Sequence, residues 1–578
     1  MFKLRRFLYS YKKEVIIGPL CKLFEAILEL FVPLVMANII DVGIKEKQDV
    51  GYVLQMGGVM LLLAAAGLGS ALVCQYLASR ASQGVGTQIR RELFEHIGTL
   101  SHAELDSLGT PSLITRMTND INQVQQSVAM CIRLLTRAPF IIVGSMIMAM
   151  TINFKMSLIF IVAAILIGIT LYIVMSRSIP IYSSIQKKLD KIGLLSRENL
   201  SGSRVIRAFS KQESEKRRVD AATDELAKAA IRVSRLSALL SPATYAITNF
   251  AIILIIWFGA GFVNSGSGML SGDIVALVNY MTQILLAMIV VANLVLLLTK
   301  SSACAKRINE VFETKPSVVE TAKNPATADL SSPHVEFENV SFNYGDGDDE
   351  LTNLSFSIKR GQTVGIIGGT GSGKSTLVNL IPRFYDATGG EVRLDGVNVK
   401  DYPFAQLRRQ IGIVPQQSTL ISGTIRDNMK WRNENATEAE IISALKIAQA
   451  YDFVSKISLG LDSRVEQGGR NFSGGQRQRL CIARALVGEP SLLILDDSFS
   501  ALDFATDAAL RKALNENTNG ATVIIVTQRC STIKNADLII VLDDGKAVGQ
   551  GTHKELLESC DTYREICLSQ LSEKEAAR

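Results

Sequence analysis

The sequence predicts two domains in tandem: an α-helical polytopic membrane domain with six transmembrane helices and long intracellular extensions, then an α/β domain on a mostly parallel sheet. Three observations predict it. Six apolar segments of spanning length crowd the first 300 of 578 residues, and Lys and Arg cluster in the loops on one side of them. From His334 onward, β-branched runs alternate with helical stretches.

A helix that crosses the hydrocarbon of a bilayer needs about 20 mostly apolar residues. Segments at about 15–40, 53–78, 128–152, 156–176, 236–263 and 274–299 meet that length, and four of them carry no charge. The overall make-up agrees, with 48% apolar and 20% charged residues. In the first segment Lys22, Glu25 and Glu29 recur every three or four residues and so share a helix face. That face either lines a hydrated path or snorkels to water. Arg133 and Arg137 interrupt the third segment. The basic start precedes an apolar stretch as in a signal peptide, but no small-residue cleavage pattern follows, so an uncleaved first span is expected.

Basic residues are retained on the cytoplasmic side of spans. The first 14 residues hold five, the loop 177–235 holds 14 and the outer loop 264–273 holds none, which predicts cytoplasmic termini. The net charge of +6 is small, and its place beside the apolar runs predicts a lipid bilayer as partner and no nucleic acid. The inner connections, 79–127 and 177–235, read as helices that extend beyond the membrane. Their reversals are expected near Leu113–Arg116, after the Gly109-Thr110-Pro111 break, and near Val205–Phe209. Eight scattered cysteines, without CxxC pairs or histidines at metal-ligand spacing, are expected to be buried free thiols. The predicted domains are 1–314 and 334–578, joined by a Pro, Ala, Thr and Ser linker at 315–333.

The chemistry concentrates in the second domain. Gly368-Gly369-Thr370-Gly371-Ser372-Gly373-Lys374-Ser375, followed by Thr376, fits GxxxxGK[ST] between an apolar strand and a helical stretch. The glycines let backbone N–H groups wrap phosphates, Lys374 pairs with the β and γ oxygens of ATP, and Ser375 offers a hydroxyl to Mg²⁺. Asp496 ends a second apolar strand, where a carboxylate organises Mg²⁺. Some twenty residues before it stand Phe472-Ser473-Gly474-Gly475-Gln476.

Here the chain resembles the ATP-binding-cassette superfamily, whose signature usually reads LSGGQ. The resemblance implies an α/β P-loop nucleotide-binding domain with a helical subdomain. It also implies that Tyr344 stacks on adenine, Gln416 reaches Mg²⁺ and the attacking water, and Asp503 acts across a dimer interface. Two cassettes of this family bind head to tail, so Ser473, Gly474, Gly475 and Gln476 serve the ATP held by the partner. Gly468-Gly469-Arg470-Asn471 would face the coupling helices.

Two positions depart from the family pattern. Asp497 stands where a Glu acts as general base, shorter by one methylene or about 1.5 Å. Gln528 stands where a His contacts the γ-phosphate, and an amide cannot become an imidazolium. Because Lys374, Ser375 and Asp496 remain, binding should outlast hydrolysis. The whole chain resembles the degenerate-site subunit of bacterial heterodimeric multidrug exporters. That resemblance implies a translocase subunit in the bacterial plasma membrane that moves amphipathic small molecules out of the cytoplasm. Its partner would be a different half-transporter with the consensus Glu and His, which carries most of the hydrolysis. An ATP-gated channel or regulator and a lipid flippase are the alternatives.

Overall fold

A computed structural model describes residues 2–264, 269–322, 324–345, 347, 349–518 and 520–571. Part of the outer loop, one linker residue and the last seven residues of the second predicted domain fall outside these. The chain divides into two compact units, Met1–Gly98 with Thr110–Glu313, and Thr99–Gly109 with Thr314–Arg578.

Among the described residues of the first unit, six helical stretches are long and apolar enough to cross a membrane: Lys3–Glu46, Val50–Ile97, Thr110–Ile152, Phe154–Ser201, Gln212–Asn264 and Ser271–Glu313. Two of the helices, Val50–Ile97 and Phe154–Ser201, run unbroken for 48 residues. At about 1.5 Å per residue each is roughly 72 Å long, more than twice the hydrocarbon thickness, so both extend beyond it, the second with Pro180 inside the helix. The third stretch is not one straight helix. It stops at Leu134 and restarts at Arg137, because Pro139 has no N–H to give the Leu135 carbonyl and its ring would crowd it.

The charges in the first span are paired. Lys22 Nζ lies 2.6 Å from Glu25, and Arg137, from the restarted helix, lies 2.7 Å from Glu29 and 3.9 Å from Glu25. Four partly buried charges therefore cancel, as ions at that depth require. Nearby, the buried Tyr280 hydroxyl donates to the Leu30 carbonyl at 2.6 Å, and the buried Asp41 accepts the Gly272 amide at 2.8 Å.

The first reversal differs from expectation. The short helix is His102–Leu108, and Leu113–Arg116 belongs to the returning helical stretch. Ser101 and Glu104 form a reciprocal capping box that starts this helix, and Gly109, at φ +72°, ends it. The second reversal is the short helix Ser203–Ala208, which starts two residues and ends one residue before the expected place.

The second unit holds a six-stranded sheet and a smaller antiparallel one. The strands are β1 (Val335–Phe342), β2 (Leu351–Ile358), β3 (Thr363–Gly368), β4 (Gly389–Leu394), β5 (Val397–Asn398), β6 (Ile411–Val414), β7 (Gly423–Thr424), β8 (Arg464–Val465), β9 (Leu492–Asp496), β10 (Thr522–Thr527), β11 (Leu538–Asp543) and β12 (Lys546–Gly551). The main sheet runs β12-β11-β3-β10-β9-β6, parallel except for β12, and the second runs β2-β1-β4-β5. β9 and β10 are buried along their whole lengths, which explains their unbroken apolar runs. Thr99–Gly109 belongs to this unit: the His102 ring stacks on Phe384 at 4.5 Å, and the Tyr385 hydroxyl donates to Asp106 at 3.0 Å. Burial pulls the His102 pKa down, with Asp106 acting against it.

One cysteine expectation is overturned. Cys530 and Cys567, 37 residues apart, are joined in a disulfide, whereas Cys21, Cys74, Cys131, Cys304, Cys481 and Cys560 are free. The two lie on different elements, so no local spacing announced the pair.

Candidate nucleotide site

The carboxyl ends of β3, β9 and β10 open on one cleft of about 210 Å³. Thr370 to Thr376 form one wall, and Gln416, Asp496, Asp497, Val526, Thr527 and Gln528 line the rest together with Glu350. This is the crevice that an open parallel sheet makes beyond its strand ends.

Local conformation makes the loop after β3. Gly371 and Gly373 have φ of +82° and +87°, and at Gly373 a Cβ would lie 2.6 Å from the Leu351 side chain and 3.0 Å from the Glu350 carbonyl oxygen. Only glycine suits that corner. The turn aims the first amides of the helix Lys374–Leu380 at the cleft, where anions are favoured. The Lys374 ammonium is buried; it donates to the Gly368 carbonyl at 2.9 Å, to the Gly369 carbonyl, and to Ser372 Oγ at 3.2 Å. Burial lowers its pKa, opposed by Asp496 and Asp497.

Asp496 is buried at the end of β9, and Ser375 lines the same cleft. Burial raises its pKa, the Ser375 hydroxyl acts to lower it, and the Asp497 charge raises it further. Asp497 takes the left-handed conformation, φ +47°, in which Asp is among the better-tolerated residues. Its amide donates to the Val526 carbonyl at 3.0 Å, which ties the tip of β9 to β10. Burial raises its carboxyl pKa too, while Ser500, Arg529 and Lys374 act the other way. Gln528 follows β10 with an exposed side chain.

The remaining sequence-derived residues lie outside this wall. The Tyr344 hydroxyl meets Thr376 Oγ1 at 2.9 Å, and its ring packs edge-on against Phe342 and Tyr385. Ser473 caps the helix Gly474–Leu486: its Oγ accepts from the Gln476 amide at 3.3 Å, while Gln476 Oε1 accepts from the Ser473 amide at 3.0 Å. None of Ser473 to Gln476 lines the cleft, and Ser473 and Gly474 face outward. Asp503 caps the helix Phe504–Asn517, accepting the Thr506 amide and hydroxyl at 2.9 Å each, and those bonds hold its pKa down. Sequence reasoning missed Glu350, Val526 and Thr527 on the wall. Thr527, directly before Gln528, had a signal in its place at the end of β10; Glu350 had none.

Comparison with known proteins adds the family. Residues 15–310 match the model of the ABC transporter transmembrane region, and residues 351–500 match that of the ABC transporter. An uncharacterised ABC transporter ATP-binding protein of Mycobacterium tuberculosis is 38% identical over 98% of this chain and 97% of its own length. A second such protein, from Bacillus subtilis, is 38% identical over 99% and 98%. An ATP-dependent lipid A-core flippase of Hahella chejuensis is 33% identical over 89% and 88%. A bacterial Atm1-family ABC exporter with ATP bound shares the fold, with a TM-score of 0.78 at 24% identity over 99% of both chains.

Proposed function

Since this chain belongs to the ABC transporters, with the family's membrane region fused ahead of its ATP-binding region, we propose that it is one half of an ATP-driven exporter whose own site holds Mg·ATP and hydrolyses it slowly. The observation that carries this reading is the position of Asp497 and Gln528. Both line the cleft beside Lys374, so both departures from the family pattern fall inside the site.

Binding is served by intact parts. The loop amides and Lys374 receive the phosphates, and Tyr344, next to Thr376, receives the base. Ser375, Gln416 and Asp496 offer only oxygen donors, a set that suits Mg²⁺, and all three line the cleft. The ion, when bound, neutralises phosphate charge. Hydrolysis asks more of the chain. Asp497 has to take a proton from water, and its reach is about 1.5 Å shorter than that of Glu. Gln528 offers a neutral amide where an imidazole would hold the γ-phosphate. A well-placed general base is worth about 10²–10⁴ in rate, so its displacement leaves binding in place and removes most turnover.

The outward-facing Ser473 cap supports service in trans, to ATP on a partner chain. The short helix Ser203–Ala208 agrees, since it leaves Val205 61% and Phe209 72% exposed, as a surface awaiting a second half-transporter would. The helix His102–Leu108, continuous in sequence with the spans yet embedded in the nucleotide unit, is the part that would carry cassette motion to the membrane helices. ATP shifts the bundle between inward- and outward-facing states by as much as it prefers the closed cassettes.

A plasma-membrane location, cytoplasmic termini and an amphipathic small-molecule cargo complete the reading. A lipid cargo is the second reading, favoured by the flippase relative. The test is to purify the chain alone and coexpressed with a half-transporter that carries the Glu and His. The expected result is Mg·ATP binding by both, with fast turnover only in the complex. Fast turnover by the chain alone would overturn the proposal. In vesicles, ATP-dependent movement of a labelled lipid with no drug accumulation would select the lipid cargo.

A further inference from the structure

The segment that carries Gln528 is gripped from outside the cleft by one face of the helix Asp561–Gln570. Gln570 Nε2 donates to the Gln528 carbonyl at 2.7 Å, and its Oε1 accepts the Cys530 amide at 3.0 Å. Cys567, on the same face, is bonded to Cys530. Tyr563, a further turn back, meets Cys530 Sγ at 3.5 Å and His553 Nδ1 at 2.8 Å with its hydroxyl. Positions 563, 567 and 570 follow the i, i+4, i+7 spacing of a single helical stripe. Tyr563, Cys530 and Cys567 are wholly buried.

Two hydrogen bonds from Gln570 and a covalent bond from Cys567 thus join this helix to the three residues 528–530. The hydrogen bonds can yield when the segment moves, whereas the covalent bond cannot. In a domain bathed by a reducing thiol pool, such a pair is poised between dithiol and disulfide. We propose that Cys530 and Cys567 form a reversible thiol–disulfide site whose oxidation tethers the segment bearing Gln528 to the helix Asp561–Gln570 and restricts its motion.

The oxidant is a low-molecular-weight disulfide of the glutathione class. One cysteine thiolate attacks it, forming a mixed disulfide and releasing one small thiol. The second cysteine thiolate then attacks the protein sulfur of that mixed disulfide and expels the other small thiol. The two cysteine protons end on the two released thiols, the protein pair loses two electrons, and the small disulfide gains them. Because both sulfurs are buried, exchange requires the helix to open locally.

The placement in a reducing compartment rests on the proposed function, but the titration does not. The full chain in detergent is equilibrated with mixtures of reduced and oxidised glutathione, quenched in acid and alkylated. Amide hydrogen exchange across residues 528–533 is followed in parallel. The expected result is that Cys530 and Cys567 titrate together and reversibly as a two-electron couple, tenfold in ratio for about 30 mV. Exchange across 528–533 slows severalfold in the oxidised form, and Cys567→Ala removes both responses. Should that variant fail to fold, Cys567→Ser replaces it, and the titration of the parent chain needs neither. A pair that stays reduced, or stays oxidised, at every ratio overturns the proposal, as does exchange that ignores the redox state. A stoichiometric metal ion retained by Cys530, Cys567 and His553, whose ligand atoms lie within 4.8 Å of one another, overturns it as well. Redox-dependent exchange with ATP turnover unchanged supports the tether and counts instead against the role proposed for Gln528.

Discussion

Alanine at Gly373 puts a methyl group into a tight, left-handed corner of the phosphate loop. The residue sits at φ +87°, and an L side chain in that region costs about 1–2 kcal/mol. The new Cβ would also lie 2.6 Å from Leu351 Cδ2 and 3.0 Å from the Glu350 carbonyl oxygen. Leu351 can turn its side chain away, but the carbonyl moves only with its backbone. We take about 2 kcal/mol as the net distortion, which weakens Mg·ATP binding about 30-fold at 1.4 kcal/mol per decade. Gly369 provides the contrast: its φ is ordinary and a Cβ there meets nothing within 4 Å, so Gly369→Ala should change affinity by no more than about twofold. Equilibrium binding to the purified full chain in the cold, where turnover is slow, measures both. Binding by Gly373→Ala within about twofold of the parent, or an equal loss in Gly369→Ala, would refute the reasoning.

Asp496→Asn removes a buried charge from beside the phosphates and should abolish the Mg²⁺ dependence of ATP affinity while leaving metal-free binding unchanged or tighter; titrating ATP with and without Mg²⁺ checks this. Burial holds His334 at a pKa of about 4, below its ordinary 6.5, with its Nδ1 2.6 Å from Thr522 Oγ1. The folded state therefore binds this proton less readily than the unfolded one. Its contribution to stability is full above pH 6.5 and is lost as the pH falls toward about 4. Melting curves of the parent and of His334→Asn should converge over that interval. Arg137→Ala leaves Glu29 without its partner in the spanning bundle, and should lower the thermal midpoint more than the double change Arg137→Ala, Glu29→Ala.

Much of the site was legible because its parts are local. A loop that needs glycine at Gly371 and Gly373 announces itself within eight residues, and the buried β9 that delivers Asp496 is an unbroken apolar run. The spans were legible for the same reason, as local apolar runs of spanning length, even where prolines such as Pro19 and Pro33 lie inside the helix. What escaped depends on contacts between distant segments. The expectation placed the first reversal after Gly109 because the glycine and proline there are conspicuous. The capping box of Ser101 and Glu104, four residues long and present in the sequence, in fact starts the short helix before it. The grip of Gln570 on the Gln528 segment and the Cys530–Cys567 bond join residues 37 or more apart, with no periodicity to mark them. Asp497 also gained meaning from the structure: at φ +47° a short acidic residue suits the backbone, so this residue answers to conformation as well as to chemistry.

The central claim is that this chain's own site binds Mg·ATP and hydrolyses it slowly because of Asp497 and Gln528. Under the proposed head-to-tail arrangement two copies of the chain would supply each other with an intact Ser473 signature, so the claim can be tested without a second gene product. The measurement is single-turnover hydrolysis of bound Mg·ATP by the purified chain and by its Asp497→Glu, Gln528→His double variant. The account predicts equal binding and a rate at least about a hundredfold higher in the double variant. A parent chain that hydrolyses its bound ATP as fast as the double variant would contradict it.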